Sequence, residues 1–586
     1  MKRRCVVILV CFLVVAVFGC NSSDKDEARS GSSAAVTSSE GKSGADDADS
    51  LVVATRYGLL EGMREDNVVV FKGIPYAKPP VGELRFHSPE EPDAWQGVRP
   101  AKTYGAGCAQ MPLISAVGDI ALGDTEGECE DCLFLNVWTP SLEHKKRPVM
   151  VWIHGGAAFY GSGSQPFYRG SLLCEKGDVV VVSFNYRLGV FGNLTHPGLK
   201  DEYGHVGNWG LLDMIAALKW VRSNIEAFGG DPDNVTIFGE SAGAWAVCAL
   251  LISPETWNTD DGTRLFKRAI AESPAIELRT LEEAVIDANR FAWRAGCADS
   301  DFECLRSRTF NQIRLADDMF AEILSPILMP LFYGNAELRR FLDWNVLPAI
   351  DGVVIPKTPT QAIQAGWTRD VQLIIGTNEE EADVLGWMLE AVLPHYKIMD
   401  YIAAMVPGEQ PDGTPKAQVM YDAYLQDIRD DDLSYPGLRV FGNILSDYIF
   451  RIKAIKYAQM HKAAGGDTYM YQFVFPLFGD QTFHVTEVPY VFGQLKFPGL
   501  AGEVFDYNAY PAAVRLRDAV QDAWLNFART GVPAIDTADM NVAWPQYDAT
   551  DRRTMILSKE PEIEAAPKES RRAVWDEVQA YFYGFE

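Results

Sequence analysis

Apolar residues in this chain occur in short, near-continuous runs that alternate with longer, helix-like segments. Runs of strand length occupy residues 149–153, 179–184, 235–238, 371–375 and 469–474. A near-continuous apolar run of this length predicts a strand that is buried on both faces, as in a parallel sheet covered by helices. Between residues 210 and 228, apolar residues instead recur every three to four positions, which predicts an amphipathic helix.

The helix predicted over residues 210–228 places its charged residues on the opposite face, and these are Asp213, Lys219, Arg222 and Glu226. The alternation of strands and helices continues from residue 51 onward without a linker or an internal repeat. This pattern is typical of the α/β class. We therefore predict one domain over residues 51–586, built on a large, mostly parallel central sheet that is flanked by helices.

The first fifty residues have a different composition. Basic residues within 1–4 precede an apolar run over 6–18, which is short for a membrane span and ends at Gly19-Cys20. A small residue followed by cysteine resembles the processing site of bacterial lipoproteins. The pattern predicts a lipoprotein signal peptide over 1–19 and lipidation at Cys20. An ordinary secretory signal with a chance cysteine is the alternative.

Residues 20–50 follow as a polar segment without aromatic residues. Such a composition cannot build a core and predicts a flexible tether. The expected location is therefore the periplasmic or outer face of a bacterial membrane, with the lipid as the only membrane contact.

The composition is acidic. The 586 residues include 53 basic and 80 acidic side chains, which gives a net charge of −27. Nucleic-acid binding is not expected, because phosphate contacts need a basic surface. The acidic surplus predicts a soluble surface, with steering of cationic substrates as the alternative.

A candidate nucleophile follows the run 235–238 and precedes an Ala-rich segment over 244–251. The residues between them read G-E-S-A-G over 239–243, with Ser241 at the centre. Strand, G-x-S-x-G and helix together are the context of a nucleophile elbow, in which the glycines permit a sharp turn and the serine hydroxyl is exposed. The five-residue pattern alone is weak evidence, so its neighbours decide its meaning.

Backbone donors for an oxyanion are expected after the run 149–153, where the chain reads H-G-G-A over 154–157. Small residues there allow the N–H groups of Gly156 and Ala157 to approach a substrate carbonyl, with Ala242 as a third donor. A simple glycine turn is the alternative.

A nucleophilic serine also needs an acid and a base, which follow it in this kind of fold. His461 falls in a predicted helix and resembles an ordinary surface residue, and His395 follows a proline. His484 follows the run 469–474 by a loop, where a base is expected. Three consecutive glutamates, residues 379–381, come directly after the run 371–375, and the pattern does not choose among them.

Further motifs resemble, in order, those of type B carboxylesterases, the family of cholinesterases, vertebrate carboxylesterases and bacterial esterases. They are F-K-G-I-P-Y-A (71–77), L-R-F (84–86), E-D-C-L-F-L-N-V (130–137), N-Y-R (185–187), G-N-W-G-L-L-D (207–213), F-G-G-D-P (228–232) and H-V-T-E-V-P-Y-V-F-G (484–493). The resemblance extends from about residue 55 to the C-terminus and implies an α/β-hydrolase fold.

The resemblance implies a serine carboxylic-ester hydrolase that acts through an acyl-enzyme intermediate. It assigns Ser241 as the nucleophile, Glu381 as the acid and His484 as the base. The family usually has glycine after the acid, where this chain has Ala382. The implied partner is a small-molecule ester, no metal or organic cofactor is implied, and the oligomeric state is not indicated. Among the motif residues, Arg85 and Glu240 are interpreted as ion-pair formers.

The resemblance also implies two disulfides, Cys108–Cys132 and Cys297–Cys304. Cys129 is then an extra thiol that could compete with Cys132. Cholinesterases place a choline-binding tryptophan between the first two cysteines, but residues 109–131 contain no aromatic residue, so choline esters are not expected. Trp344 lies where the family builds its acyl pocket and either narrows that pocket or belongs to the core.

Two other functions fit the same framework. A hydrolase of amides or carbamates would use the same site, and the sequence does not distinguish it from an esterase. A non-catalytic surface binding protein of the same fold is the second alternative. Members of that kind have lost triad residues, whereas this chain retains all three.

Overall fold

The structure is a computed structural model that describes residues 51–110, 127–257, 262–316, 347–382, 398–428, 436–476, 482–498, 504–578 and 585. Its strands, numbered along the chain, are β1 (Val52–Thr55), β2 (Gly58–Glu61), β3 (Met63–Glu65), β4 (Val68–Pro75), β5 (Val98–Pro100), β6 (Phe134–Thr139), β7 (Arg147–Ile153), β8 (Val180–Phe184), β9 (Gly230–Glu240), β10 (Arg268–Glu272), β11 (Arg279–Thr280), β12 (Ala349–Ile350), β13 (Gln372–Asn378), β14 (Thr468–Phe473), β15 (Lys496–Pro498), β16 (Val504–Asp506), β17 (Ala534–Asp536), β18 (Asn541–Ala543), β19 (Arg553–Leu557) and β20 (Glu562–Ala565).

Helices fill most of the connections between these strands. The α-helices are Ser171–Gly177, Gly189–Asn193, Trp209–Asn224, Ala242–Ile252, Leu281–Arg294, Phe302–Ser307, Phe310–Ala316, Pro359–Gln364, Ile398–Met405, Lys416–Gln426, Pro436–Ser446, Ile452–Ala463, Val488–Phe492, Pro511–Thr530 and Glu569–Glu577. A π-helical turn, Asp447–Arg451, joins two of them.

The main sheet has eleven strands in the order β20-β19-β14-β13-β10-β9-β7-β8-β6-β4-β3. Every neighbouring pair from β8 to β19 is parallel. The pairs beyond these two strands are antiparallel. The predicted α/β class, with a mostly parallel central sheet flanked by helices, is therefore confirmed, and the antiparallel edges are an addition to it.

Successive residues of the central strands point to two hydrophobic cores, one on each face of the sheet. Val151, Ile237 and Ile375 belong to one core. Their neighbours Trp152 and Phe238 belong to the other. Since helices cover both faces, neither face of these strands carries exposed polar residues, which explains the near-continuous apolar runs.

The helix Trp209–Asn224 is more deeply buried than its periodicity predicts. Lys219 is exposed, as expected of the charged face, but Asp213 is completely buried. The carboxylate of Asp213 accepts hydrogen bonds from the Arg187 guanidinium at 2.7 and 2.8 Å and from the Arg187 backbone N–H at 3.0 Å. The placement of Asp213 on a solvent face was wrong, because an ion pair with a distant residue satisfies this carboxylate inside the core.

His461 is also a core residue rather than a surface one. It lies on the helix Ile452–Ala463 and is fully buried. Its Nδ1 is 2.7 Å from the Thr468 hydroxyl and its Nε2 is 3.0 Å from the carbonyl oxygen of Thr368. Burial lowers the pKa of His461. This histidine therefore connects a helix to two neighbouring segments in its neutral form.

Two disulfides are present in the described residues, Cys108–Cys132 and Cys297–Cys304. They are the pairs that the family resemblance implies. Cys129 remains a thiol and is partly exposed. Cys129 therefore does not replace Cys132 in the first disulfide, although the two are close in sequence.

Some sequence predictions concern residues beyond this description. The predicted signal peptide over 1–19, Cys20 and the rest of the segment 20–50, His395 and Trp344 lie outside the described residues. Within the described ranges, no helix combines the length and the hydrophobicity needed to cross a membrane.

Candidate active site

A sharp turn joins β9 to the helix Ala242–Ile252, and Ser241 is the residue at that turn. Its φ of 57° and ψ of −121° lie in a region that non-glycine residues rarely adopt. The Ser241 backbone N–H donates a 2.9 Å hydrogen bond to the carbonyl oxygen of Glu272, at the end of β10. The turn holds the serine at the carboxyl ends of the parallel strands, where sheets of this kind bind ligands.

The glycines on either side of Ser241 pack against the end of β7. A Cβ atom on Gly239 would lie 2.6 Å from the carbonyl oxygen of Ile153, and one on Gly243 would lie 2.0 Å from the same oxygen. Backbone atoms cannot yield as a flexible side chain can. Neither position therefore accepts a side chain, which explains both glycines of the G-x-S-x-G pattern.

The loop after β7 brings the predicted oxyanion donors next to the serine. A Cβ atom on Gly155 would lie 3.1 Å from the Ser241 Cβ, so the loop touches the nucleophile. Gly156 and Ala157 both have positive φ, 105° and 51°. As far as the described residues show, the N–H groups of Gly156, Ala157 and Ala242 have no protein acceptor. Unpaired N–H groups beside a nucleophile are suited to holding an oxyanion.

Two side chains support this loop from behind. The amide of Gln110 makes a pair of 2.9 Å hydrogen bonds with the backbone of Gly161. The Tyr186 hydroxyl donates a 2.8 Å hydrogen bond to the carbonyl oxygen of His154. The ring of His154 stacks on that of Tyr186, and burial lowers the pKa of His154 to about 4. His154 is therefore a neutral packing residue.

The three consecutive glutamates after β13 have three different partners. Glu379 pairs with the Lys568 ammonium at 2.6 Å, and Glu380 pairs with the Arg439 guanidinium at 3.1 Å. Glu381 is buried, and one of its oxygens accepts the Asn378 N–H at 2.7 Å. Its other oxygen lies 2.7 Å from the Nδ1 atom of His484. The structure thus brings Glu381, and neither of its two predecessors, to the candidate base.

His484 lies between two carboxylates. Opposite the Glu381 contact, its Nε2 atom is 3.1 Å from Oε1 of Glu240. The ring of Phe450 lies against the imidazole, with 4.6 Å between the ring centroids. In the described part of the chain, no hydrogen bond joins His484 to the Ser241 hydroxyl. The imidazole nitrogen that would receive the serine proton is therefore in contact with the carboxylate that precedes the serine.

Buried carboxylates dominate the electrostatics of this site. Burial raises the pKa of Glu240 to about 8 and that of Glu487 to about 7. Burial acts to lower the pKa of His484, but the charges of Glu240 and Glu381 outweigh it and raise this pKa to about 9. Protons on these groups are therefore shared over the neutral and mildly alkaline range.

Comparisons with known proteins agree with this geometry. The sequence model of the carboxylesterase family matches residues 49–575. Para-nitrobenzyl esterase from Bacillus subtilis (strain 168) is 36% identical over 531 residues, which are 89% of this chain and 97% of that protein. Liver carboxylesterase from Sus scrofa is 34% identical over 536 residues, which are 85% of this chain and 86% of that protein.

A solved structure extends the match to three dimensions. The crystal structure of a Geobacillus stearothermophilus carboxylesterase at pH 6.2 has a TM-score of 0.75 at 35% identity, over 90% of this chain and 100% of that chain. The chain belongs to the carboxylesterase family. It is a serine carboxylic-ester hydrolase with the α/β-hydrolase fold, and both predictions from the resemblance are confirmed.

Hydrogen bonds among three further side chains support the acid loop of this carboxylesterase. None of the three was assigned a role from the sequence. Asn378 donates through Nδ2 to Oε2 of Glu487 at 2.5 Å. The Ser273 hydroxyl donates to the other oxygen of Glu487 at 3.1 Å. Glu487 follows His484 by three residues in the same motif, so its position in the sequence could have predicted that it lies near the site. Asn378 gave the same kind of signal, because it precedes Glu381 by three residues, whereas Ser273 gave none, because it directly follows β10, which is distant from both motifs in the sequence.

Two motif residues of the carboxylesterase form ion pairs, as interpreted, but in different settings. Arg85 donates through Nε to Glu130 at 2.7 Å and also binds carbonyl oxygens around residues 305–308. Glu240 pairs with His484 itself. Ala382, which stands where the family usually has glycine, fits into the core. Its methyl group is fully buried, and its N–H donates to the Ser446 hydroxyl at 2.8 Å.

Proposed function

We propose that this carboxylesterase hydrolyses its ester through a Ser241–His484–Glu381 triad and an acyl-enzyme. The observation that carries the proposal is the 2.7 Å contact between Glu381 and Nδ1 of His484, in a site where Ser241 occupies a strained turn. A carboxylate at Nδ1 keeps the proton on that nitrogen and leaves Nε2 to act as the base.

In the first half of the reaction, Nε2 of His484 accepts the proton of the Ser241 hydroxyl as Oγ attacks the ester carbonyl carbon. The carbonyl oxygen becomes an oxyanion, which the N–H groups of Gly156, Ala157 and Ala242 stabilise. The imidazolium then donates its proton to the alkoxide leaving group. The alcohol departs, and the acyl group remains on Ser241.

In the second half, His484 takes a proton from water, and the resulting hydroxide attacks the acyl-enzyme. The same N–H groups hold the second oxyanion. The proton on His484 returns to Ser241 as the acyl bond breaks, and the carboxylic acid leaves. His484 gives its first proton to the alcohol and its second, taken from water, to Ser241, so the cycle regenerates the enzyme.

Small uncharged carboxylic esters are the substrate class that we propose. The absence of aromatic residues from 109–131 in the sequence argues against choline esters. The relatives named para-nitrobenzyl esterase and liver carboxylesterase support carboxylic esters over amides. Rates on chromogenic short-acyl esters and on matched anilides decide this point. Faster turnover of the anilides would favour the amide hydrolase.

Replacement of the nucleophile tests the mechanism. Ser241→Ala should lower turnover by about 10⁴-fold or more, because loss of a triad member leaves only binding and oxyanion stabilisation. Ser223→Ala, at an exposed serine whose hydroxyl bonds only a helix carbonyl, is the control and should keep full activity. An organophosphate should label Ser241 stoichiometrically. Labelling of another residue, or near-normal activity of Ser241→Ala, would refute the assignment.

We also propose that the mature enzyme begins at a lipidated Cys20 and is held beside a bacterial membrane by the tether over 20–50. The support is the sequence alone: the basic residues within 1–4, the short apolar run over 6–18 and Gly19-Cys20. Several acyl chains on one cysteine give stable anchoring, whereas one chain gives only marginal binding.

A further inference from the structure

The side chain of Gln110 is bonded to the loop that carries two of the proposed oxyanion donors. Its Nε2 atom donates to the carbonyl oxygen of Gly161 at 2.9 Å, and its Oε1 atom accepts the Gly161 N–H at 2.9 Å. Both residues are buried, and Gln110 is 5% exposed. Within the described residues, the main chain of Gly161 has no other hydrogen-bond partner. One amide group therefore satisfies both polar groups of this glycine.

Gly161 packs directly against the start of the same loop. A Cβ atom on Gly161 would lie 2.7 Å from Nδ1 of His154 and 2.8 Å from the carbonyl oxygen of Gly155. The preceding residue, Tyr160, contacts the first proposed donor, since a Cβ atom on Gly156 would lie 2.1 Å from the Tyr160 carbonyl oxygen. The Tyr160 N–H also donates to the carbonyl oxygen of Gly156 at 3.1 Å. A displacement of Gly161 would therefore move the N–H group of Gly156.

The main chain that carries Gln110 is itself held in place. Cys108, two residues earlier, forms a disulfide with Cys132. Asn185 connects this disulfide to the same loop, because it donates to the Cys132 carbonyl oxygen at 3.2 Å and accepts the Gly163 N–H at 2.8 Å. The far end of the loop is thus attached at two points to a segment that a covalent bond closes.

We propose that Gln110 is a positioning residue for ester hydrolysis, which keeps the oxyanion donors where the transition state requires them. The inference rests on the proposed function, in which Gly156, Ala157 and Ala242 hold the oxyanion. Such donors act at about 2.7–3.1 Å from the oxyanion, and a misplacement of about 1 Å can lower a rate by about a hundredfold. Loss of the Gln110 amide leaves two buried main-chain groups unpaired, so the loop would shift until they found other partners.

Gln110→Met tests this role, because methionine has a similar length but makes neither hydrogen bond. The oxyanion exists in the transition state and not in the bound ester, so displaced donors should lower kcat and leave KM nearly unchanged. We expect kcat to fall by about tenfold to a hundredfold. Rates are measured on the full chain and given per active site, counted by complete labelling with an organophosphate, so unfolded protein does not contribute. A kcat near normal would overturn the proposal.

Gln546→Met is the matched control, because this glutamine also has both amide atoms hydrogen-bonded, to Asp467 at 2.7 Å and to Lys462 at 2.6 Å. Asp467 directly precedes β14, so Gln546 lies at the amino end of that strand, whereas the active site lies at the carboxyl ends. Gln546→Met should therefore keep kcat unchanged. Equal losses of kcat in the two variants would show that kcat follows general damage to the fold, and would refute the role of Gln110.

A trifluoromethyl ketone measures the donors without turnover, since it adds to a nucleophilic serine and forms a tetrahedral oxyanion. Gln110→Met should weaken inhibition by this ketone by the same factor as it lowers kcat/KM. Equal inhibition of the variant and the unchanged enzyme would refute the role of Gln110 and leave the serine mechanism intact. No inhibition of the unchanged enzyme would refute the serine mechanism, and this inference with it.

Gln110→Glu is a rescue test, and it provides the measurement if Gln110→Met fails to fold. A protonated carboxyl group can both donate to and accept from Gly161, as the amide does, whereas a carboxylate can only accept. Burial should raise the pKa of the introduced carboxyl group. The two charged groups beside it, Glu128 and Arg314, are paired with each other at 3.5 Å, so they largely offset each other.

The readout of this rescue is the ratio of kcat in each variant to kcat in the unchanged enzyme, measured across the pH range. The ratio removes the pH dependence that both proteins share through His484. For Gln110→Glu it should be highest at acidic pH and fall as the pH rises through the pKa of the introduced group. For Gln110→Met it should be low at every pH. A ratio for Gln110→Glu that does not change with pH would overturn the proposal.

Discussion

Oε1 of Glu240 lies 3.1 Å from Nε2 of His484, so the residue before the nucleophile contacts the nitrogen that serves as the proposed base. Burial acts to lower the pKa of His484, and the charge of Glu240 is the largest of the effects that instead raise it to about 9. The proposed base must be neutral to accept a proton. Activity should therefore increase as the pH rises from neutral to about 9, where half of His484 is neutral.

Glu240→Gln should move this pH dependence downward. Loss of the carboxylate removes the main charge that stabilises the imidazolium, so the pKa of His484 falls toward 6.5 and the ascending limb of kcat/KM shifts to lower pH. The measurement is the pH profile of kcat/KM for both proteins. Glu380→Gln, which removes a carboxylate that pairs with Arg439, is the control. A limb that stays in place in Glu240→Gln would show that another group sets the pKa.

Among the three consecutive glutamates, Glu381 should dominate catalysis. Glu381→Gln should lower kcat by about 10⁴-fold, the loss typical when the acid of a triad becomes an amide. Glu379→Gln and Glu380→Gln remove partly buried pairs with Lys568 and Arg439, away from His484, so they should cost less than about tenfold in kcat. Steady-state kinetics on one chromogenic ester separates the variants. Equal losses in all three would mean that the loop acts through its total charge.

The buried pair of Asp213 and Arg187 should be important for stability. Asp213→Ala leaves the guanidinium of Arg187 unpaired in the core and should lower the free energy of unfolding by about 3–5 kcal/mol. Asp233→Ala removes an exposed partner of Arg222 and should cost below about 1 kcal/mol. Urea and thermal unfolding give both values. Similar small losses in the two variants would contradict the importance assigned to the buried pair.

Anchoring should depend on Cys20. The processed enzyme should fractionate with membranes, and Cys20→Ser should release it or leave it unprocessed, while a chain that begins at residue 51 should be active without any membrane. Cell fractionation, mass spectrometry of the N-terminus and an ester assay check these outcomes. Inactivity of the shortened chain would show that the segment 20–50 does more than tether.

The sequence predicts the centre of this fold better than its edges. Near-continuous apolar runs such as 149–153 and 235–238 predict strands covered on both faces, and they lie in β7 and β9. Short edge strands such as β3 and β20 have mixed patterns, since one side of each edge has no neighbouring strand, and the pattern did not predict them.

Residues whose environment depends on distant parts of the chain were harder to predict. Asp213 and His461 were given exposed positions, because the residues that pair with them, Arg187 and Thr368, come from other elements. Which of the three glutamates contacts His484 likewise depends on distant residues. Lys568 and Arg439 pair with Glu379 and Glu380, and Glu381 is the one that contacts the histidine. Only the family resemblance assigned Glu381 from sequence.

The carbonyl oxygen of Ile153 leaves room for nothing larger than a hydrogen atom at Gly239 or Gly243. The spacing between the serine turn and the loop of candidate donors is thus determined by main-chain contacts, which almost no substitution can alter without loss of the fold. Variation that survives selection must then accumulate in the loops around the site. We therefore expect these two glycines to vary little among relatives, and new substrate preferences to arise in the surrounding loops while the chemistry stays the same.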